Sequence, residues 1–93
     1  MLEKRIVIVN RLGLHARAAA RLVRTASAYR SSVRLERMDG SAMADAKSIL
    51  SVLLLAASRG TELRLTTEGA DEAEASGAVC ELIEDGFGEE REA

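Results

Sequence analysis

The chain has 93 residues, a formal net charge of −2, 47% hydrophobic and 30% charged residues, and only two aromatic rings, Tyr29 and Phe87. That is enough for one folded domain over residues 1–93 with an aliphatic core of Val, Ile, Leu and Ala, and it excludes a disordered chain. The slight negative charge and the scarcity of stacking rings argue against nucleic-acid binding.

Cys80 is the only cysteine, which rules out an internal disulfide or a cysteine-rich metal site. The N-terminal Met1-Leu2-Glu3-Lys4-Arg5 turns charged at once, unlike a secretory signal, and no apolar run approaches the ~20 residues of a membrane span. These features lead us to expect a cytoplasmic monomer. Its charge is uneven: residues 1–37 carry Lys4 and eight arginines against Glu3 and Glu36, while residues 68–93 are mostly acidic. One face can therefore be basic although the whole is not.

In chain order, Arg5-Ile6-Val7-Ile8-Val9 is β-branched and reads as a strand, broken by Asn10-Arg11-Leu12-Gly13. Residues 16–29 are rich in alanine and free of Gly and Pro, which favours a helix burying Ala19, Leu22, Val23, Ala26 and Tyr29. Ser31-Ser32 ends it. Val33-Arg34-Leu35-Glu36-Arg37 alternates as a half-buried strand does, and Asp39-Gly40 turns it into a hairpin with residues 41–44.

Ser48 then opens a helix over Ile49 to Ala57, with Arg59-Gly60 as its C-terminal stop. Thr61 to Thr67 alternates again. Asp71 followed by Glu74 resembles a capping box for a last helix that buries Ala75, Ala78, Val79, Leu82, Ile83 and Phe87. Gly77 within it costs about 1 kcal/mol relative to alanine. Residues 89–93 read as a frayed acidic tail. The order βαββαβα predicts an α+β fold, a two-layer open-faced sandwich with a four-stranded antiparallel sheet covered on one face by three helices.

His15, the only histidine, stands where the first helix begins. A helix N-terminus offers unpaired N–H groups and partial positive charge, so a phosphoryl group carried on that ring would meet favourable backbone. No Ser or Cys with a carboxylate accompanies it for triad chemistry, and no second histidine for a metal. Two readings remain: a histidine that only starts the helix, or one that carries something. Arg17 in the first turn opposes the helix dipole and so has no local reason to be there. Arg21 and Arg24 continue its stripe, either as a solvated basic face or as a phosphate clamp and dock for an acidic partner.

The second feature is Ala46-Lys47-Ser48-Ile49-Leu50. Ser48 is a natural N-cap and, alternatively, a phosphate acceptor. After it Ile49, Leu50, Val52, Leu53, Leu54 and Leu55 are apolar almost all round, more than a two-layer domain can bury. Some of Leu50, Leu53 and Leu54 are therefore expected at the surface, as a partner-binding patch.

Gly13-Leu14-His15-Ala16-Arg17 with its Ala-rich helix resembles the active-site motif of HPr, the histidine-containing phosphocarrier family of the bacterial phosphoenolpyruvate-dependent phosphotransferase system. Ala46-Lys47-Ser48-Ile49 resembles that family's regulatory-serine segment. Arg59-Gly60-Thr61 and Glu68-Gly69-Ala70-Asp71-Glu72 are similar too, so the resemblance runs over residues 3–88. It implies a phosphoryl carrier and not an enzyme, with no cofactor. His15 would accept phosphate on Nδ1 from Enzyme I and pass it to an EIIA-type acceptor, with Arg17 beside the phosphate and the Ala16 and Arg17 backbone amides holding it.

The resemblance further implies Ser48 as a target of HPr kinase/phosphorylase. Ala20, Arg21, Arg24, Lys47, Ile49, Leu50, Leu53 and Leu54 would form the docking face. Two departures stand out. The family places proline after the arginine, where this chain has Ala18, leaving the first turn freer. The hairpin around Met38-Asp39-Gly40 is also slightly longer. The stretch Leu53 to Ser58 looks more like the nitrogen-related NPr branch than the sugar-transport HPr of enteric type. Two readings compete with the carrier: a binding module switched mainly at Ser48, and a structural domain with a retired site.

Overall fold

The computed structural model describes residues 1–89. Its elements are β1 (Leu2–Val7), α1 (Ala16–Ser27), β2 (Ser32–Arg37), β3 (Met43–Asp45), α2 (Ile49–Leu54), β4 (Glu62–Glu68) and α3 (Glu72–Glu84), followed by a short turn over Gly86–Gly88. The four strands form one antiparallel sheet in the order β1-β4-β2-β3, with the helices on one face. This is the anticipated two-layer α+β sandwich.

Period-two alternation decides the sheet's faces. Ile6, Val33, Leu35, Ala44, Leu63, Leu65 and Thr67 point inward and are buried. Arg64 and Glu36, neighbours on the open face, pair at 3.4 Å. Against the inner face pack Ala19, Leu22 and Ala26 of α1, Val52 of α2, and Ala75, Val79 and Ile83 of α3. With so few rings the core is aliphatic; Phe87 is fully buried in it and Tyr29 packs half-buried against it.

β1 starts at Leu2, earlier than expected, because pairing with β4 extends from Leu2↔Thr67 to Val7↔Glu62. α1 ends at Ser27, and Lys47 Nζ donates to Tyr29 O at 2.8 Å just beyond it, a cation at a helix's negative end.

Three sequence expectations are corrected. The second helix stops at Leu54, not Ala57, because Ala56 turns left-handed at φ 52°, and Arg37 Nη1 bonds the freed carbonyls of Leu55 and Ala56, each at 3.2 Å. Gly60 therefore belongs to the turn before β4 and is not the helix stop. The Asp71–Glu74 capping box does not form. The Asp71 carboxylate reaches across the molecule instead, accepting from Arg30 N–H and Ser31 N–H at 2.9 Å each and from Ser31 Oγ at 2.5 Å. These donors hold its pKa down to about 2, the Ser31 hydroxyl contributing most.

The third correction concerns the tail. Gly86, Phe87 and Gly88 all have positive φ (67°, 59° and 69°), a left-handed turn that brings Glu89 back onto the domain. A bulky residue in this region is strained by about 1–2 kcal/mol, which full burial of the ring (1% exposed) offsets. Glu89 is consequently half-buried and bonded, not frayed. Residues 90–93 of the expected tail lie outside the described residues.

Candidate phosphoryl-acceptor site

His15 occupies the N-cap of α1 with extended backbone (φ −72°, ψ 176°), and its side chain makes no capping bond. The helical ladder opens with Ala19 N–H to His15 O at 2.8 Å, so the N–H groups of Ala16, Arg17 and Ala18 precede it and face the helix end. Freed from capping, the imidazole reaches sideways: Nε2 lies 2.7 Å from Glu89 Oε1. Its side chain remains 28% exposed, open enough for a reaction partner.

Two supports fix this loop. Leu14 N–H donates to Ala57 O at 2.9 Å, and Gly13 lies so close to the same segment that a Cβ there would sit 2.5 Å from Ala57 O and 2.8 Å from Ser58 Cα. Gly13 also has φ +64°, so both the conformation and the space demand glycine. The chain after α2 is thus the floor of the His15 loop.

The other support is Asn10, 5% exposed, whose Nδ2 donates to Gly13 O at 2.7 Å and to Glu89 Oε1 at 2.9 Å. Glu89 is pulled below the usual carboxylate range, first by the Asn10 amide and then by the His15 ring, with the Leu12 N–H assisting and desolvation opposing. Arg21 Nη1 bonds Phe87 O and ties the C-terminal turn to α1.

The sequence-chosen residues divide accordingly. Arg17 and Arg24 are exposed and make no hydrogen bond or ion pair among the described residues. Arg21 and Lys47 are occupied, bonding Phe87 O and Tyr29 O. Ala16 is exposed, Ala20 half-buried and Ala18 buried in the core (1% exposed). Ser48 caps α2, its Oγ accepting from Ser51 N–H at 3.3 Å. Ile49, Leu50, Leu53 and Leu54 are all exposed, Leu54 by 71% and Leu50 by 64%, on a helix packed against α1. Leu12, in the His15 loop, is also exposed, by 63%.

Sequence reasoning missed Asn10 and Glu89. Asn10 carried only a strand-break signal, and Glu89 lies 74 residues from His15, beyond any local pattern. Among the described residues no group of three or more His, Cys, Asp or Glu side chains is placed to hold a metal, and no helix is long and apolar enough to cross a membrane.

The sequence model of the family described as "PTS HPr component phosphorylation site" matches residues 2–85. The chain is 51% identical over 84 residues to the phosphocarrier protein HPr of Pseudomonas aeruginosa, covering 90% of this chain and 92% of that protein. A crystal structure of HPr from Thermoanaerobacter tengcongensis superimposes with a TM-score of 0.90 at 44% identity, over 98% of this chain and all of that one. A second crystal structure from that organism, described as an HPr dimer, matches with a TM-score of 0.74 at 44% identity, over 96% of this chain and all of that one. With the motif, the fold and near-full-length identity in agreement, this chain belongs to the HPr family, whose named relatives are phosphocarrier proteins and not enzymes.

Proposed function

We propose that His15 is the phosphoryl acceptor of this chain, taking the group from phospho-Enzyme I on Nδ1 and delivering it to an EIIA-type acceptor. The observation that carries this reading is a part-exposed imidazole at a helix N-cap that does no capping, with the N–H groups of Ala16, Arg17 and Ala18 ahead of the helical ladder. The lone pair of Nδ1 forms the new N–P bond as the donor's bond to phosphorus breaks, and the donor departs with those electrons. Little covalent chemistry falls to this protein, whose contribution is positioning and charge stabilisation.

The Ala16 and Arg17 amides and the exposed Arg17 guanidinium, which makes no bond among the described residues, supply donors to the phosphoryl oxygens. Exposed Ile49, Leu50, Leu53 and Leu54, with Arg24 on neighbouring α1, make a mixed apolar and basic dock suited to small, transient contacts used in turn by donor and acceptor. One copy of the chain supplies every one of these groups. Incubating the full chain with phosphoenolpyruvate and Enzyme I of its own organism should yield an acid-labile phosphate that His15→Ala abolishes. Absence of label on the unmodified chain overturns the reading.

Ser48 supports a regulatory layer on the same surface, because its hydroxyl stands at the start of the exposed leucine helix. Phosphate added there by an ATP-dependent kinase brings about two negative charges beside the dock and repels an acidic partner. An acid-stable phosphate lost in Ser48→Ala is the expected readout.

A further inference from the structure

We infer that Glu89 is a positioning residue for His15: its carboxylate holds the ring in the tautomer and orientation that present the Nδ1 lone pair for phosphoryl transfer. The inference rests on the carrier reading above and deepens it. A carboxylate only accepts hydrogen bonds, so the 2.7 Å contact between Glu89 Oε1 and His15 Nε2 requires the proton on Nε2. In the neutral ring the lone pair is then on Nδ1.

The carboxylate is itself held. Asn10 Nδ2 bridges Glu89 Oε1 (2.9 Å) and Gly13 O (2.7 Å), joining Glu89 to the loop that carries His15. The left-handed turn with buried Phe87, fastened through Phe87 O by Arg21, delivers Glu89 to this point. Ring orientation is thus set by a chain of bonds from the loop through Asn10 to Glu89, in the way an outer carboxylate orients a reacting histidine elsewhere.

The proton stays in place during the reaction. As Nδ1 forms its bond to phosphorus and the donor's bond to phosphorus breaks, the ring becomes a phosphoimidazolium that keeps Nε2–H. Positive charge develops on the ring next to the Glu89 carboxylate, where a charge-assisted hydrogen bond is strongest.

The test uses the full chain, ¹⁵N-labelled, with Glu89→Ala and Glu89→Gln, the glutamine keeping an acceptor oxygen but no charge. At a pH where the ring is neutral, the unmodified chain should give NMR signals of a protonated Nε2 and an unprotonated Nδ1. Glu89→Ala should show a tautomer mixture and accept phosphate from phosphoenolpyruvate and Enzyme I about three- to tenfold more slowly, equivalent to about 0.7–1.4 kcal/mol of barrier. Glu89→Gln should restore the single tautomer and most of the rate, which a purely structural role for the tail would not distinguish. A Glu89→Ala chain with one unchanged tautomer or a normal rate overturns the inference, as does Glu89→Gln behaving like Glu89→Ala. The nitrogen signals of the unmodified chain test it even if no label is taken up, an outcome that overturns the carrier reading instead.

Discussion

Gly13→Ala isolates how the floor of the His15 loop is built. An L-residue at φ +64° carries about 1–2 kcal/mol of backbone strain. Its Cβ would also lie 2.5 Å from Ala57 O, so the loop must lift and open the 2.9 Å Leu14 N–H···O Ala57 bond, worth about 1 kcal/mol. Alanine recovers about 0.4–1 kcal/mol by stiffening the unfolded chain, which leaves a net loss of about 1–2.5 kcal/mol.

Gly40→Ala is the matched control. Gly40 has φ +78° but nothing within 4 Å of its would-be Cβ, so it bears only the backbone cost, about 1 kcal/mol. Urea unfolding of both variants at unchanged m reads the difference directly. Because the same displacement moves His15, Gly13→Ala should also take up phosphate more slowly, while Gly40→Ala should not. Equal stability losses in the two, within about 0.5 kcal/mol, would refute the packing argument and leave only φ.

The other predictions concern the ends of helices. Ser48→Ala removes the 3.3 Å cap on Ser51 N–H and should cost about 0.5–1 kcal/mol in denaturant unfolding, whereas Ser48→Asp should keep most of the cap; equal losses in both would contradict the capping role. Asp71 ionises in the folded state at about 2 against an ordinary 3.8, so its stabilisation is complete above that ordinary value and disappears as pH falls toward 2. Asp71→Asn should flatten the loss of stability between pH 4 and 2, and an unchanged acid slope by circular dichroism would assign that loss to other groups.

Much of the molecule is legible in local pattern. Alternation in residues 33–37 and 61–67 marks β2 and β4, because side chains of a half-buried strand must point alternately to core and water. The surplus of leucines after Ser48 likewise forces a surface patch, since a helix in a two-layer domain buries one side only. Element ends were harder. Gly60 looked like the stop of α2, yet Ala56 takes the left-handed turn because Arg37, 19 residues earlier, supplies the bonds that secure it.

His15, its place at a helix start, Arg17 behind it and Ser48 at a second helix start are properties of contiguous sequence, and so is the family motif that contains them. Tertiary structure alone decided which cations are committed: Arg21 is bonded to Phe87 O and Lys47 to Tyr29 O, while the Arg17 and Arg24 side chains are exposed and make no bond among the described residues. It also decided that Asp71 binds Ser31 instead of capping its own helix. Above all it made Glu89 the partner of the histidine. A hydrogen bond spanning 74 residues depends on Asn10, on the left-handed turn and on burial of Phe87 together, and no window of sequence contains all three.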